Sequence, residues 1–196
     1  MPLNTNKRYI VFLDLPKDIA SKIDKVKSKY RHSPKRYPAH ITLKQDEDFL
    51  INADEICGIV HDQIKNQKQF NVKLGKPQIM PNDWGWNIYL PVKSKGLNEL
   101  VKKISKSLEK FIDPKGFHAF LSTKWEQSNN FYGHISIKGG DKEDDHKNLL
   151  AKIKKEKFGF TFPKNIVCDT ITVANLKNNK WEKVKSFNLK NKNFKN

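Results

Sequence analysis

The stretch "HITLK" at residues 40–44 returns almost unchanged as "HISIK" at residues 134–138. Each copy places a histidine, a hydroxyl residue and a lysine at alternate positions, with an aliphatic residue in each gap. This alternation predicts a β-strand with three polar side chains on one face and two aliphatic side chains on the other. A short chain that contains the same strand twice indicates an internal duplication.

The elements around the two copies repeat in the same order, which is strand, helix, histidine-bearing strand, helix and strand. Around the first copy, the pattern predicts strands at 8–16 and 70–80 and helices at 17–30 and 52–66. Around the second copy, it predicts strands at 86–92 and 158–162, helices at 96–112 and around 148–157, and an aromatic-rich loop at 113–130. A final hairpin of 169–176 and 181–189 is predicted to turn at Asn178-Asn179.

The length of 196 residues suits one domain spanning 1–196, because a chain of this size can bury a sizeable core. Within it we predict two pseudo-symmetric lobes, with repeat halves at about 8–80 and 86–190, and a cleft between them. No charged or Pro/Gly-rich linker separates the halves. The duplication therefore predicts two lobes of one unit, and we expect a monomer.

The formal net charge of +17 favours anionic partners such as RNA or nucleotides, although a coding bias toward lysine and asparagine would give the same excess. No apolar run approaches the roughly 18 residues that a membrane span needs, and the N-terminus is unlike a signal peptide. We therefore expect a cytoplasmic protein without membrane contact. Cys57 and Cys168 lie in apolar patterns that predict buried, reduced thiols.

The two predicted strands each present an imidazole and a hydroxyl on one face, His40 with Thr42 and His134 with Ser136. Two imidazoles opposed across one pocket suit displacement at phosphorus, because one histidine acts as base while its protonated partner acts as acid. The hydroxyls can donate to the phosphate oxygens on which charge develops. This chemistry needs no metal ion and no cofactor.

The motifs His40-Ile41-Thr42-Leu43 and His134-Ile135-Ser136-Ile137 resemble the twin HxTx and HxSx motifs of the two-histidine (2H) phosphoesterase superfamily. This group includes the 2′-5′ RNA ligase-like cyclic phosphodiesterases. The resemblance covers nearly the whole chain, since the opening strand, the spacing between the motifs and the C-terminal hairpin also fit.

The resemblance implies a bilobal α+β fold of two antiparallel sheets, with outer helices flanking a central cleft. It also implies metal-independent hydrolysis of 2′-5′ linkages or 2′,3′-cyclic phosphates. In related enzymes the histidine of the first motif is usually the proton donor, which makes His40 the acid and His134 the base. A pseudo-symmetric site leaves the reverse assignment open.

Four further side chains are predicted to bind substrate. Lys44 and Lys138 extend the polar rows of the two strands and would hold phosphate charge, although lysine is abundant throughout the chain. Tyr132 lies two residues before His134, and Arg36 precedes the first motif. Two tryptophans, Trp84 and Trp125, are candidates for stacking on a nucleobase.

Three functions remain open from the sequence. The first is a phosphodiesterase acting on RNA-derived 2′-5′ or 2′,3′-cyclic phosphoesters. The second differs only in substrate: degradation of cyclic di- or oligonucleotide or 2′-5′ oligoadenylate immune signals. The third is a non-catalytic RNA-binding module in which the histidines only position phosphate.

Overall fold

The computed structural model describes eight stretches of the chain, which are residues 8–30, 38–82, 85–116, 121–128, 133–140, 142–155, 163–177 and 180–190. Several predictions fall outside these stretches, namely those for Arg36, Trp84, Tyr132, the strand at 158–162 and the turn at Asn178-Asn179. Within the described stretches, no helix has the length and apolar character that crossing a membrane requires.

The described residues form nine strands and five helices. The strands are β1 (Arg8–Asp14), β2 (His40–Asp48), β3 (Phe70–Leu74), β4 (Gln78–Asn82), β5 (Gly85–Lys93), β6 (His134–Gly140), β7 (Ile166–Cys168), β8 (Thr170–Lys177) and β9 (Lys180–Asn188). The helices are α1 (Lys17–Lys29), α2 (Ala53–Ile64), α3 (Leu97–Glu109), α4 (Leu121–Gln127) and α5 (Glu143–Lys155).

The strands form two antiparallel sheets, which confirms the predicted α+β class. The first sheet has the order β2-β1-β8-β9. In the second sheet β5 pairs with β3, β4 and β6, and β3 also pairs with β7. The first sheet thus combines strands from both ends of the described chain, whereas the second sheet is built from the consecutive strands β3 to β7 between them. The division into repeat halves at about 8–80 and 86–190 stays a prediction.

One continuous hydrophobic core joins the helices to one face of the sheets. Helix α1 turns Ile19, Ile23 and Val26 inward, as expected from their helical spacing. Helix α2 begins with a capping box, in which the Asn52 side chain accepts from the Glu55 backbone N–H and the Glu55 carboxylate accepts from the Asn52 N–H. This core anchors the back of both motif-bearing strands.

The sequence prediction was wrong about four elements. The strand at 70–80 is two strands, because residues 75–77 around Pro77 interrupt the ladder. The loop at 113–130 contains helix α4, which is too short for its periodicity to stand out. Helix α5 begins at Glu143, several residues early, with three acidic residues in its first turn. The short strand β7 was not predicted.

Candidate active site

The two motif strands pair with their neighbours in matching registers. In the first sheet Asp14 is opposite His40 and Phe12 is opposite Thr42. In the second sheet Pro91 is opposite His134 and Tyr89 is opposite Ser136. Each motif hydroxyl therefore lies across from an aromatic residue, and that aromatic ring also contacts the motif histidine. The ring centroids are 4.8 Å apart for Phe12 and His40 and 5.9 Å apart for Tyr89 and His134.

The same irregularity follows the hydroxyl residue in both strands. After the pair of Phe12 with Thr42, the next pair joins Val11 to Lys44, so the motif strand contains one extra residue. In the second sheet the pair of Tyr89 with Ser136 is followed by Ile88 with Lys138. These are β-bulges at equivalent positions, and a bulge changes the face to which the following side chain points. The equivalent bulges in the two strand pairs thus support an internal duplication more strongly than the two pentapeptides alone.

The bulge corrects the prediction for Lys44. Instead of sharing a face with His40, Lys44 is paired with the core residue Val11 and is 0% exposed. Its ammonium forms ion pairs with Glu47 and with Glu126, the latter at 3.0 Å, and donates to the Thr123 hydroxyl at 3.3 Å. A side chain enclosed by these groups does not reach a substrate. Lys44 belongs to a buried polar cluster that joins β2 to α4.

The prediction for Lys138 changes for the same reason. Its partner across the ladder is Ile88, which lies in the core, whereas the partner of Ser136 is Tyr89 on the opposite face. Lys138 is half-buried rather than enclosed. The structure therefore does not bring either lysine into the row formed by the motif histidine and hydroxyl.

The His40 ring is held in one orientation by the backbone. Its Nδ1 donates to the carbonyl of Pro38 at 2.6 Å, because a carbonyl oxygen can only accept. The neutral ring therefore keeps its lone pair on Nε2. Burial lowers the pKa of His40 to about 4; the bond to Pro38 opposes this decrease, and the nearby charges of Lys27 and His134 add to it. At neutral pH the free protein thus presents an unprotonated His40.

The His134 ring is packed between aromatic side chains. Trp125 on α4 contacts it edge-on at a centroid distance of 5.8 Å, in addition to Tyr89. Strands β2 and β6 contact each other, and the charge of His134 is close enough to act on His40. The structure therefore brings together the two histidines that the sequence places on separate strands. Trp125, itself a candidate for stacking on a nucleobase, is half-buried and contacts His134.

Sequence reasoning missed the partner of the Ser136 hydroxyl. The amide Nδ2 of Asn87 donates to Ser136 Oγ at 2.9 Å, and Asn87 is only 5% exposed. Sequence reasoning also missed the role of Phe12 and Tyr89. Aligning the strands that precede the two motifs would have revealed it, because "VFL" at 11–13 matches "IYL" at 88–90.

The acidic residue Asp14 lies opposite His40 in the pair of β1 with β2. The carboxylate of Asp14 accepts from the Thr172 hydroxyl at 2.6 Å, and that hydroxyl is 2.7 Å from the hydroxyl of Ser186. Burial raises the pKa of Asp14, while the bond from Thr172 opposes the rise. Asp14 was not predicted, because a carboxylate at the end of a strand is usually a solvated terminus.

No three histidine, cysteine or acidic side chains of the described stretches lie together in a way that could hold a metal ion. Both cysteines are buried thiols, and burial raises the pKa of Cys168 to about 12. Arg36 and Tyr132 stay predictions, since they fall outside the described residues.

The two motif strands have matching bulges, and each presents a histidine and a hydroxyl on one face, as the resemblance to the 2H phosphoesterase superfamily implies. The comparison with protein families agrees. A family model described as the 2′-5′ RNA ligase superfamily matches residues 15–179, and the chain belongs to this superfamily.

Solved structures show the same fold at low sequence identity. The protein TT0787 of Thermus thermophilus matches with a TM-score of 0.58 and 12% identity, covering 94% of this chain and 99% of that chain. E. coli LigT complexed with 3′-AMP matches with a TM-score of 0.55 and 14% identity, covering 94% and 98% of the two chains. A structure described as a phosphoesterase gives 0.52 and 14%, with the same coverage. No curated protein matches in sequence.

Proposed function

We propose that the protein is a phosphodiesterase that hydrolyses 2′,3′-cyclic phosphates or 2′-5′ linkages of RNA-derived nucleotides by acid–base catalysis with His40 and His134. The observation that carries the proposal is the matched pair of half-sites, in which each histidine shares a strand face with a hydroxyl residue. The related LigT was crystallised with 3′-AMP, which supports a nucleotide as the ligand class. The net charge of +17 also favours an anionic substrate.

The reaction requires one proton to be removed and another to be supplied. For a 2′,3′-cyclic phosphate, a water molecule attacks phosphorus while the base takes a proton from it. The bond from phosphorus to the 3′ oxygen breaks, and the acid donates a proton to that leaving oxygen. The product is a 2′-phosphate with a free 3′ hydroxyl, and both histidines have exchanged their protonation states.

The hydroxyls of Thr42 and Ser136 would bind the non-bridging oxygens of the phosphate. Charge develops on these oxygens during attack, so donors that are fixed before the reaction stabilise the transition state. The two hydroxyls come from different sheets, which would place them on two sides of one phosphate group.

The structure supports His40 as the base, the reverse of the role that family resemblance implies. A histidine whose pKa is about 4 is neutral at pH 7, and its Nδ1–H is already committed to Pro38, so Nε2 is ready to accept a proton. An acid would have to be protonated before the reaction begins. We therefore propose that His40 accepts the proton from water and that His134 supplies the proton to the leaving oxygen.

The test is hydrolysis of a panel of substrates in the presence of EDTA. The panel holds a 2′,3′-cyclic nucleotide, a 2′-5′ oligoadenylate and a cyclic dinucleotide, so that it also separates the immune-signal alternative. Replacing either His40 or His134 with alanine should reduce kcat by about 10²–10⁴-fold. His61→Ala is the control, because His61 lies on α2 against Phe187.

Two outcomes would refute the proposal. One is full activity of both histidine variants. The other is tight, salt-sensitive RNA binding without any product after long incubation, which would favour a non-catalytic RNA-binding module.

A further inference from the structure

The two half-sites differ at one buried position behind the hydroxyl residue. Asn87 lies two residues before Tyr89 on β5, and the equivalent position on β1, two residues before Phe12, is Ile10. Ile10 is buried in a small apolar cluster with Phe12 and Ala174. Only the second half-site therefore has a polar side chain at this place, and that side chain bonds to the motif hydroxyl.

We propose that Asn87 is a positioning residue that fixes the Ser136 hydroxyl as a donor to the substrate phosphate. The inference rests on the proposed role of Ser136 in phosphate binding. A serine hydroxyl has one proton and two lone pairs. Because Asn87 Nδ2 donates to Ser136 Oγ at 2.9 Å, it occupies a lone pair and leaves the hydroxyl proton for another acceptor.

The burial of Asn87 supports this role. The residue is 5% exposed, and its Oδ1 has no hydrogen-bond partner among the described residues. An apolar residue of similar size would avoid that unsatisfied carbonyl, as Ile10 does in the first sheet. With the amide reversed, Oδ1 would accept from Ser136 and Nδ2 would be the unsatisfied group. A buried N–H without a partner is rarer than a carbonyl without one, which favours the orientation observed.

The asymmetry gives the two hydroxyls different properties. Ser136 is held as a donor before substrate arrives, whereas no side-chain amide stands behind Thr42 at the equivalent position. Donors fixed in advance contribute most when charge develops on the oxygen that they face. The second half-site is therefore the one that we expect to bind the phosphate oxygen more strongly.

The experiment measures the dissociation constant for inorganic phosphate and kcat/KM for a 2′,3′-cyclic nucleotide in a double-mutant cycle. Asn87→Leu should weaken phosphate binding about fivefold, and Ser136→Ala should weaken it about tenfold or more. The double variant should bind no more weakly than Ser136→Ala alone. Asn87→Leu combined with Thr42→Ala is the matched control, in which the two factors should multiply.

Asn87→Asp gives a second readout, and its combination with Ser136→Ala separates the loss of the Ser136 donor from repulsion between the new carboxylate and phosphate. An ionised carboxylate can only accept hydrogen bonds, so it would accept one from the Ser136 hydroxyl. The phosphate would then lose that donor. At neutral pH, Asn87→Asp should bind phosphate more weakly than Asn87→Leu does, with each variant compared with wild type at the same pH. Phosphate binding should recover on acidification, as the buried carboxyl gains a proton and becomes a donor. This variant is nearly the same size as the native residue, which keeps the test available if Asn87→Leu does not fold.

Three outcomes would overturn the inference. They are unchanged phosphate binding in Asn87→Leu, multiplicative effects with Ser136→Ala, and the absence of acid recovery in Asn87→Asp. Phosphate binding needs no turnover, so the result is separate from the proposed activity. A wild-type protein that binds phosphate and shows the expected cycle, but hydrolyses no substrate of the panel, would refute the proposed function and leave the role of Asn87 intact.

Discussion

The Lys44 ammonium lies 3.0 Å from the Glu126 carboxylate, and this ion pair joins the strand of the first motif to the helix that carries Trp125. Glu126 also accepts from the Ser105 hydroxyl on α3 at 2.8 Å and from the backbone N–H of Gln45. Trp125 in turn contacts His134. The cluster therefore fixes the short helix α4 against β2, and α4 carries a ring that packs against the histidine of the second motif.

Lys44→Met should destabilise the protein by about 3–5 kcal/mol, because it leaves the carboxylates of Glu47 and Glu126 buried without their cation. Lys138→Met is the matched control at the equivalent position of the repeat, where the side chain is half-buried, and we expect a change below about 1 kcal/mol. Denaturant unfolding measures both free energies. Unchanged stability of Lys44→Met with a large rise in KM would instead support the original prediction of substrate binding.

Trp125→Leu should lower kcat by about 10- to 100-fold, because the His134 ring loses one of the side chains that restrict its orientation. Trp125→Phe keeps an aromatic edge and should retain most of the activity. The comparison uses kcat and KM for the substrate found in the panel. If both variants raise KM equally and leave kcat unchanged, Trp125 binds the substrate and does not position His134.

Gly133→Ala should destabilise the protein by about 1–3 kcal/mol and reduce activity, because the new methyl group would lie 2.9 Å from Leu97 Cδ2 and 3.3 Å from Val92 Cβ. Such a contact would shift the residue that precedes His134. Gly139→Ala, within β6, is the control, since nothing lies within 4 Å of its added carbon. Equal stability and equal activity of the two variants would show that the backbone before His134 has room to move.

The pH dependence of kcat/KM tests whether a histidine with a pKa of about 4 takes part in catalysis. This pKa keeps His40 neutral in the free protein down to about pH 5, so protonation of the base should not reduce kcat/KM above that pH. Below pH 4 His40 gains a proton and can no longer accept one, so kcat/KM should fall about tenfold per pH unit. An acidic limb near pH 6.5, the ordinary pKa of histidine, would contradict a neutral His40 as the base. Circular dichroism at each pH ensures that the protein is still folded.

The sequence predicted most of the fold because its signals are local. The apolar stripes of α1 and α3 and the apolar runs of β1 and β5 each lie within one segment, and the repeat of His40-x-Thr42 as His134-x-Ser136 needs no structure to be seen. Helix α4 was missed, since two turns of helix give too few residues for a periodic pattern.

The two lysines show that local sequence patterns do not predict every side-chain orientation. Strict alternation along "HITLK" places Lys44 beside His40, but a bulge after Thr42 turns Lys44 toward the core. A bulge is a property of the pairing between two strands, so β2 alone does not contain it. The same holds for Asn87, whose bond to Ser136 joins residues on two different strands.

The sequence by itself determined the family, the pair of half-sites, and the four residues His40, Thr42, His134 and Ser136 that we propose to act on phosphate. Only the tertiary structure decided that Lys44 is buried, that Asn87 stands behind Ser136 and that Trp125 packs on His134. The physical reason is the separation along the chain of the residues that determine each feature. Side-chain alternation is set by neighbouring peptide units, whereas register, bulges and buried partners are set by which distant segments come together when the chain folds.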